Sequence, residues 1–170
     1  MGGLVKIYNY VLYGMAYCSG VTIFIAVVLI VVDVGMRITG FDPFVFVLTA
    51  VEYILLYFTM LAAPWLVRIK GHVFIDAVTQ FLPPRVKTVI AKLVYLACIV
   101  ASSIYCYQLV ILLTEAIQSG ELDMRSYEIP IWILFVPMPL CFFMCAMEFV
   151  RYLIGIDDMY SSALEERGGV

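Results

Sequence analysis

The chain has 170 residues and a formal net charge of −3. Hydrophobic residues make up 65% of it and charged residues 14%, where a soluble domain is roughly 45–50% apolar and about 25% charged. A soluble domain of this size cannot bury so much apolar surface, and the scarcity of charge excludes a disordered chain and a basic nucleic-acid binder. What remains is a membrane protein, in keeping with a mean hydropathy of +1.05.

Residues 7–32, between Lys6 and Asp33, contain no Asp, Glu, Lys or Arg. A run of that length exceeds the roughly 17–25 residues that cross the hydrocarbon layer as a helix. It predicts a first transmembrane helix at about residues 10–36. The run is also too long for the apolar core of a cleavable signal, and Met1-Gly2 is not followed by the Ser or Thr of a myristoylation site. Asp33 and Arg37 stand four apart at the end of this helix, the spacing of an ion pair that anchors at headgroups. Gly40 and Pro43 then form a tight connection.

Residues 43–67 carry one charge, Glu52, and predict a second helix at about 44–68. Three roles stay open for Glu52: a proton carrier, the partner of a cation, or an interfacial first turn. In the next segment Phe74, Ala77, Val78 and Phe81 recur at helical spacing, while His72, Asp76, Thr79 and Gln80 take the other side. This pattern suits a short helix lying in the membrane interface between helices 2 and 3. His72 is either hydrogen-bonded to Asp76 one turn later or solvated at the interface. Arg68, Lys70, Arg85 and Lys87 flank the segment and are candidate contacts for anionic lipid headgroups.

Residues 93–114 are free of charge and predict a third helix at about 88–114. Its Ala91, Cys98, Ser102 and Cys106 fall close to one face, where small side chains let helices approach. Loop 115–128 is acidic, with Glu115, Glu121, Asp123 and Glu128 against Arg125. Residues 129–147 predict a fourth helix at about 129–154, interrupted by Pro137 and Pro139, with Glu148 and Arg151 as a local pair. Spanning strands would be about 9–11 residues long and would alternate in polarity, and backbone groups in lipid must be satisfied within the segment. The fold class is therefore an all-α membrane protein. Residues 1–155 form a four-helix transmembrane domain, and 156–170 a polar tail.

Of the basic residues, only Arg37 and Arg125 fall on one side of this arrangement; the others fall on the opposite side. The excess marks the cytoplasmic face, so both termini are expected in the cytoplasm. Chemistry-bearing groups are few. The five cysteines all fall inside spans without a Cys-x-x-Cys pair and read as packing residues. A single His cannot supply a bis-histidine haem from this chain alone, and no set of metal ligands stands out. No nucleophile–base pair, phosphate loop or carboxylate dyad is visible. The expectation is no cofactor, no enzymatic activity and no nucleic-acid partner.

Several signals nevertheless follow one another in a fixed order. They are Asp33-Val34-x-x-Arg37, Glu52, Gly71-His72-Val73-x-Ile75-Asp76, Leu82-Pro83-Pro84-Arg85, Ile129-Pro130-Ile131-Trp132 and Pro139-Leu140. Over roughly residues 20–155 this order resembles the small membrane subunit of tripartite ATP-independent periplasmic (TRAP) transporters. Ala62-Ala63 and Cys141 depart from it, standing where the family often has glycine. The resemblance implies a bacterial inner-membrane protein. Its partners would be a large membrane subunit carrying the substrate and sodium sites and a periplasmic binding protein that captures an organic anion. The small subunit would scaffold the large one. Asp33, Arg37, Glu52, His72, Asp76, Ser102, Pro130 and Trp132 become candidates for a partner interface or a structural role, and loop 115–128 either docks the binding protein or is an ordinary loop. Two rival readings use single features: a self-sufficient proton-coupled exporter working through Glu52, and a membrane redox enzyme working through the cysteines.

Overall fold

A computed structural model describes residues 2–42, 44, 46–69, 84–123 and 128–155. Its elements in chain order are α1 (Gly2–Thr39), α2 (Phe46–Arg68), α3 (Pro84–Ser119), β1 (Leu122–Asp123), β2 (Ile129–Pro130), α4 (Trp132–Phe135) and α5 (Pro137–Ile154). Four stretches are long and apolar enough to cross a membrane: Val5–Thr39, Phe46–Arg68, Val89–Ser119 and Trp132–Ile154. The expected interfacial helix and the polar tail lie outside the described residues.

Helices α1 and α3 run past the spans expected from charge-free runs. At 38 and 36 residues they measure about 57 and 54 Å at 1.5 Å per residue, against a hydrocarbon layer about 30 Å thick. Long side chains such as Lys6 and Lys92 can send their charge to the headgroups, so a charge does not end a helix. Glycine does. After α1 the N–H of Gly40 donates to Arg37 O at 3.4 Å and that of Phe41 to Met36 O at 3.0 Å. Gly40 adopts φ 81°, the left-handed turn that satisfies the last carbonyls of a helix and that a Cβ would strain. Gly120 and Gly155, with φ 62° and 79°, close α3 and α5 in the same sense.

The fourth span is broken between α4 and α5. Pro137 has no N–H, so the carbonyl of Ile133, four residues earlier, loses its helical donor. A two-residue antiparallel ladder precedes the break, with Leu122 opposite Pro130 and Asp123 opposite Ile129.

The main packing runs α1 to α2, α2 to α5 and α5 to α3, with α4 against α3 and α2. Two apolar clusters hold this row. Leu12 and Met15 meet Met144, with Tyr8, Leu61 and Trp65 around them. Val67 meets Ala91, Tyr95, Cys141, Cys145 and Tyr152. Both clusters sit where α1 and α3 begin and where α2 and α5 finish, the basic end of the unit. Outward faces carry exposed Val, Ile, Leu, Phe and Tyr along α1 and α3, as a lipid solvent permits.

Candidate functional site

At the basic end one carboxylate gathers three helices. Glu148 on α5 is 1% exposed. It accepts a hydrogen bond from Tyr8 Oη of α1 at 2.6 Å. Arg151, one turn later, donates to its two oxygens at 3.1 and 3.0 Å. Arg68 at the end of α2 brings Nη1 to within 3.9 Å and donates from Nη2 to Asn9 Oδ1 at 2.7 Å. The guanidinium of Arg68 lies over the Tyr13 ring at 5.9 Å, and that of Arg151 over the Tyr8 ring at 6.0 Å. Tyr13 in turn packs on Trp65 with centroids 5.0 Å apart. A buried carboxylate in an apolar surround is tolerated only with such partners. Glu148 has them from its own helix and from both neighbours.

Tyrosine hydroxyls cap backbone carbonyls at both ends of the bundle. Tyr152 Oη of α5 donates to Val67 O at 2.9 Å and Arg68 O at 3.0 Å. Those are the last two carbonyls of α2, which have no partner within their own helix. The Tyr152 ring stacks on Tyr95 of α3 at 5.7 Å. Toward the other end, Tyr57 Oη of α2 donates to Ile133 O at 2.5 Å, the carbonyl that Pro137 leaves open. Thus α5 caps α2 at one end, and α2 caps the broken fourth span at the other.

The far end is acidic. Arg37 Nε donates to Asp33 Oδ2 at 2.8 Å, with side-chain exposures of 60% and 14%. An i, i+4 pair this open is worth about 0.3–0.5 kcal/mol. Tyr53 Oη of α2 donates to Asp123 Oδ2, tying the short ladder to the bundle. Glu52 is exposed in the second turn of α2, and Asp42, Glu115, Glu121 and Glu128 are also exposed.

The sequence-based candidates are thus spread rather than convergent. Asp33 and Arg37 are paired on α1. Ser102 is buried on the face of α3 that carries Ala91 and Tyr95. Pro130 ends β2, and Trp132 opens α4 with 39% exposure. Arg68 belongs to the Glu148 cluster, with an 18% exposed side chain. His72, Asp76 and Lys70 lie outside the described residues. Arg85 and Lys87 fall in the first turn of α3, and their side chains are likewise outside the described set. Among the described residues no group of three or more His, Cys, Asp or Glu could hold a metal ion. The residues that tie the elements together are ones the pattern did not single out: Tyr8, Tyr53, Tyr57, Tyr152 and, as a hub rather than a local pair, Glu148. One signal was available. A proline inside an apolar run announces an orphan carbonyl four residues back.

The family model described as Tripartite ATP-independent periplasmic transporters, DctQ component, matches residues 26–157. That stretch takes in α2, α3, α4 and α5 whole and the last part of α1, residues 26–39. No curated protein and no solved structure matches the chain.

Proposed function

The chain belongs to the DctQ component family of tripartite ATP-independent periplasmic transporters, and from that premise we propose that it scaffolds the large transport subunit of a sodium-coupled carrier for organic anions. Membership makes it the small, multi-pass membrane subunit of such a transporter. The finer reading rests on where its charge lies. The described Asp, Glu, Lys and Arg side chains sit toward the two ends of the bundle, and the buried one, Glu148, is consumed in joining α1, α2 and α5. A carrier binds its substrate and coupling ions near the bilayer midplane, between broken helices. The groups this chain offers instead hold its own helices in a fixed arrangement. That is what a partner-bearing frame needs.

In this reading both termini and the basic end face the cytoplasm, because Lys and Arg accumulate there. The acidic end faces the periplasm of a bacterial inner membrane, where its outer loops meet the substrate-binding protein. The carrying observation is the family match over residues 26–157.

The test is a clean deletion in the native transporter. Uptake of a radiolabelled organic acid should fall to background, recover on complementation, and depend on an imposed sodium gradient. The tagged chain should copurify with a large multi-span subunit in mild detergent. Uptake that survives the deletion unchanged would overturn the scaffold role.

A further inference from the structure

We propose that the flank of α3 carrying Ala97, Ala101, Ile104 and Gln108 is the intramembrane docking face for a helix of the large membrane subunit. The proposal rests on the subunit reading above and adds the surface and its chemistry.

The observation that carries it is Gln108. The charge-free run 93–114 centres between residues 103 and 104. Gln108 therefore lies about 7 Å from the middle of the span at 1.5 Å per residue, inside a hydrocarbon layer about 30 Å thick. Its side chain is exposed on the outside of the bundle, and it makes no hydrogen bond among the described residues. A primary amide has two donors and an acceptor with two lone pairs. In lipid none of these is met by water, so polar side chains at this depth turn inward or bond across to another helix. Gln108 does not turn inward. The buried side of α3 is taken by Ala91, Tyr95, Ser102 and Ala116, which point away from it at 100° per residue.

The surroundings of the amide are shaped for a helix. At the same 100° step, Ala97, Ala101, Ile104 and Gln108 fall within about 60° of one another. Ala97 and Ala101 are exposed one turn apart. This small-x-x-x-small spacing allows a second helix to come close enough for a side-chain amide to reach it. By contrast, the strip of α3 through Val89, Leu93, Leu96 and Val100 presents 50–61% exposed branched side chains, a surface suited to acyl chains. The occupant must lie within the bilayer and bring a hydrogen-bonding side chain to the depth of Gln108. Of the other two components of a tripartite transporter, the membrane component lies within the bilayer and the periplasmic one does not.

A benzoylphenylalanine photo-crosslinker placed at Ala101 or Gln108, in the chain co-expressed with the large subunit, tests this. Illumination in membranes should give an adduct of this chain with the large subunit from both sites. Independently, Gln108→Leu should leave the chain's own detergent stability unchanged. It should weaken recovery of the large subunit about three- to tenfold, the scale of one interhelical hydrogen bond in a membrane. An intact complex that crosslinks only from Tyr17 on α1 overturns the proposal, as does one that gives only self-adducts or only lipid adducts. So does full recovery of the large subunit by Gln108→Leu. Failure of the wild-type chain to copurify with a large subunit at all would instead overturn the subunit reading.

Discussion

Replacing Glu148 by Ala removes the one acceptor shared by three helices. Its carboxylate is nearly sealed, with a 2% exposed side chain. The charge-assisted bond from Tyr8, 2.6 Å long, is of the kind worth about 1.5–3 kcal/mol. At an effective dielectric of about 20, a unit pair at the 3.9 Å of Arg68 and Glu148 gains about 4 kcal/mol in gross terms. These gains do not add, because removing the carboxylate also relieves its own desolvation. Breaking a buried pair from one side nets a loss of about 3–5 kcal/mol. Arg68 and Arg151 keep 18% and 26% exposure and can turn toward headgroups, which places the expected loss near the lower limit, about 3 kcal/mol. The assay is an SDS titration of the purified chain in detergent micelles, read by tryptophan fluorescence. Trp65 packs on Tyr13 beside Arg68, so one of the two tryptophans reports from the cluster. Glu148→Gln keeps an acceptor for Tyr8 Oη and loses the charge, so it should fall between wild type and Glu148→Ala. The double variant Glu148→Ala/Arg151→Ala should cost less than the sum of the singles, because each removes the same contact. A Glu148→Ala variant within about 1 kcal/mol of wild type, the size of an ordinary substitution, would refute the hub.

Tyr57→Phe keeps the ring and exposes the Ile133 carbonyl; it should cost about 1–2 kcal/mol in the same titration, and an unchanged midpoint would show that the carbonyl has another donor. Ser102→Glu places a carboxylate in the close contact of α3 with α5 and should cost about 3 kcal/mol, read as a sharp fall in membrane accumulation beside a near-normal Ser102→Ala; normal accumulation would mean the face is not packed. Gly155→Ala meets no atom within 4 Å but forces a side chain onto φ 79°, so the loss should be about 1 kcal/mol of pure backbone strain. A larger loss would point to a contact beyond the turn itself.

The four spans were legible because the thickness of a bilayer fixes how long an apolar run must be, and the runs between Lys6, Asp33, Asp42, Lys92, Glu115 and Glu128 meet that length. The Asp33–Arg37 and Glu148–Arg151 pairs were legible because a helix brings residues three and four apart together. The true ends of α1 and α3 were not. Charge counting stops a span at Asp33 or Glu115, whereas the backbone continues until Gly40 or Gly120 takes a left-handed turn. The hub at Glu148 was half visible. Arg151 is its neighbour in sequence, but Tyr8 is 140 residues away and arrives only because α1 and α5 both pack on α2. The tyrosine caps were hidden for the same reason. Pro137 announces an orphan carbonyl at Ile133, yet which hydroxyl reaches it depends on the rotation of α2. Gln108 was readable as a polar residue in an apolar run, but its outward direction needed the arrangement of α3 on α5.

The separation of the hub's members along the chain sets an order on synthesis. Arg68 emerges eighty residues before Glu148, a delay of roughly 4–16 s at about 5–20 residues per second. Its companions on α1, Asn9 and the Tyr13 ring, are already made by then, so α1 and α2 can pair before α5 exists. The arrival of α5 supplies the partners still missing at this end. Glu148 latches Tyr8 and Arg68 while Tyr152 closes the end of α2. A chain truncated before α5 carries an unmatched cation at the membrane surface and an uncapped helix end.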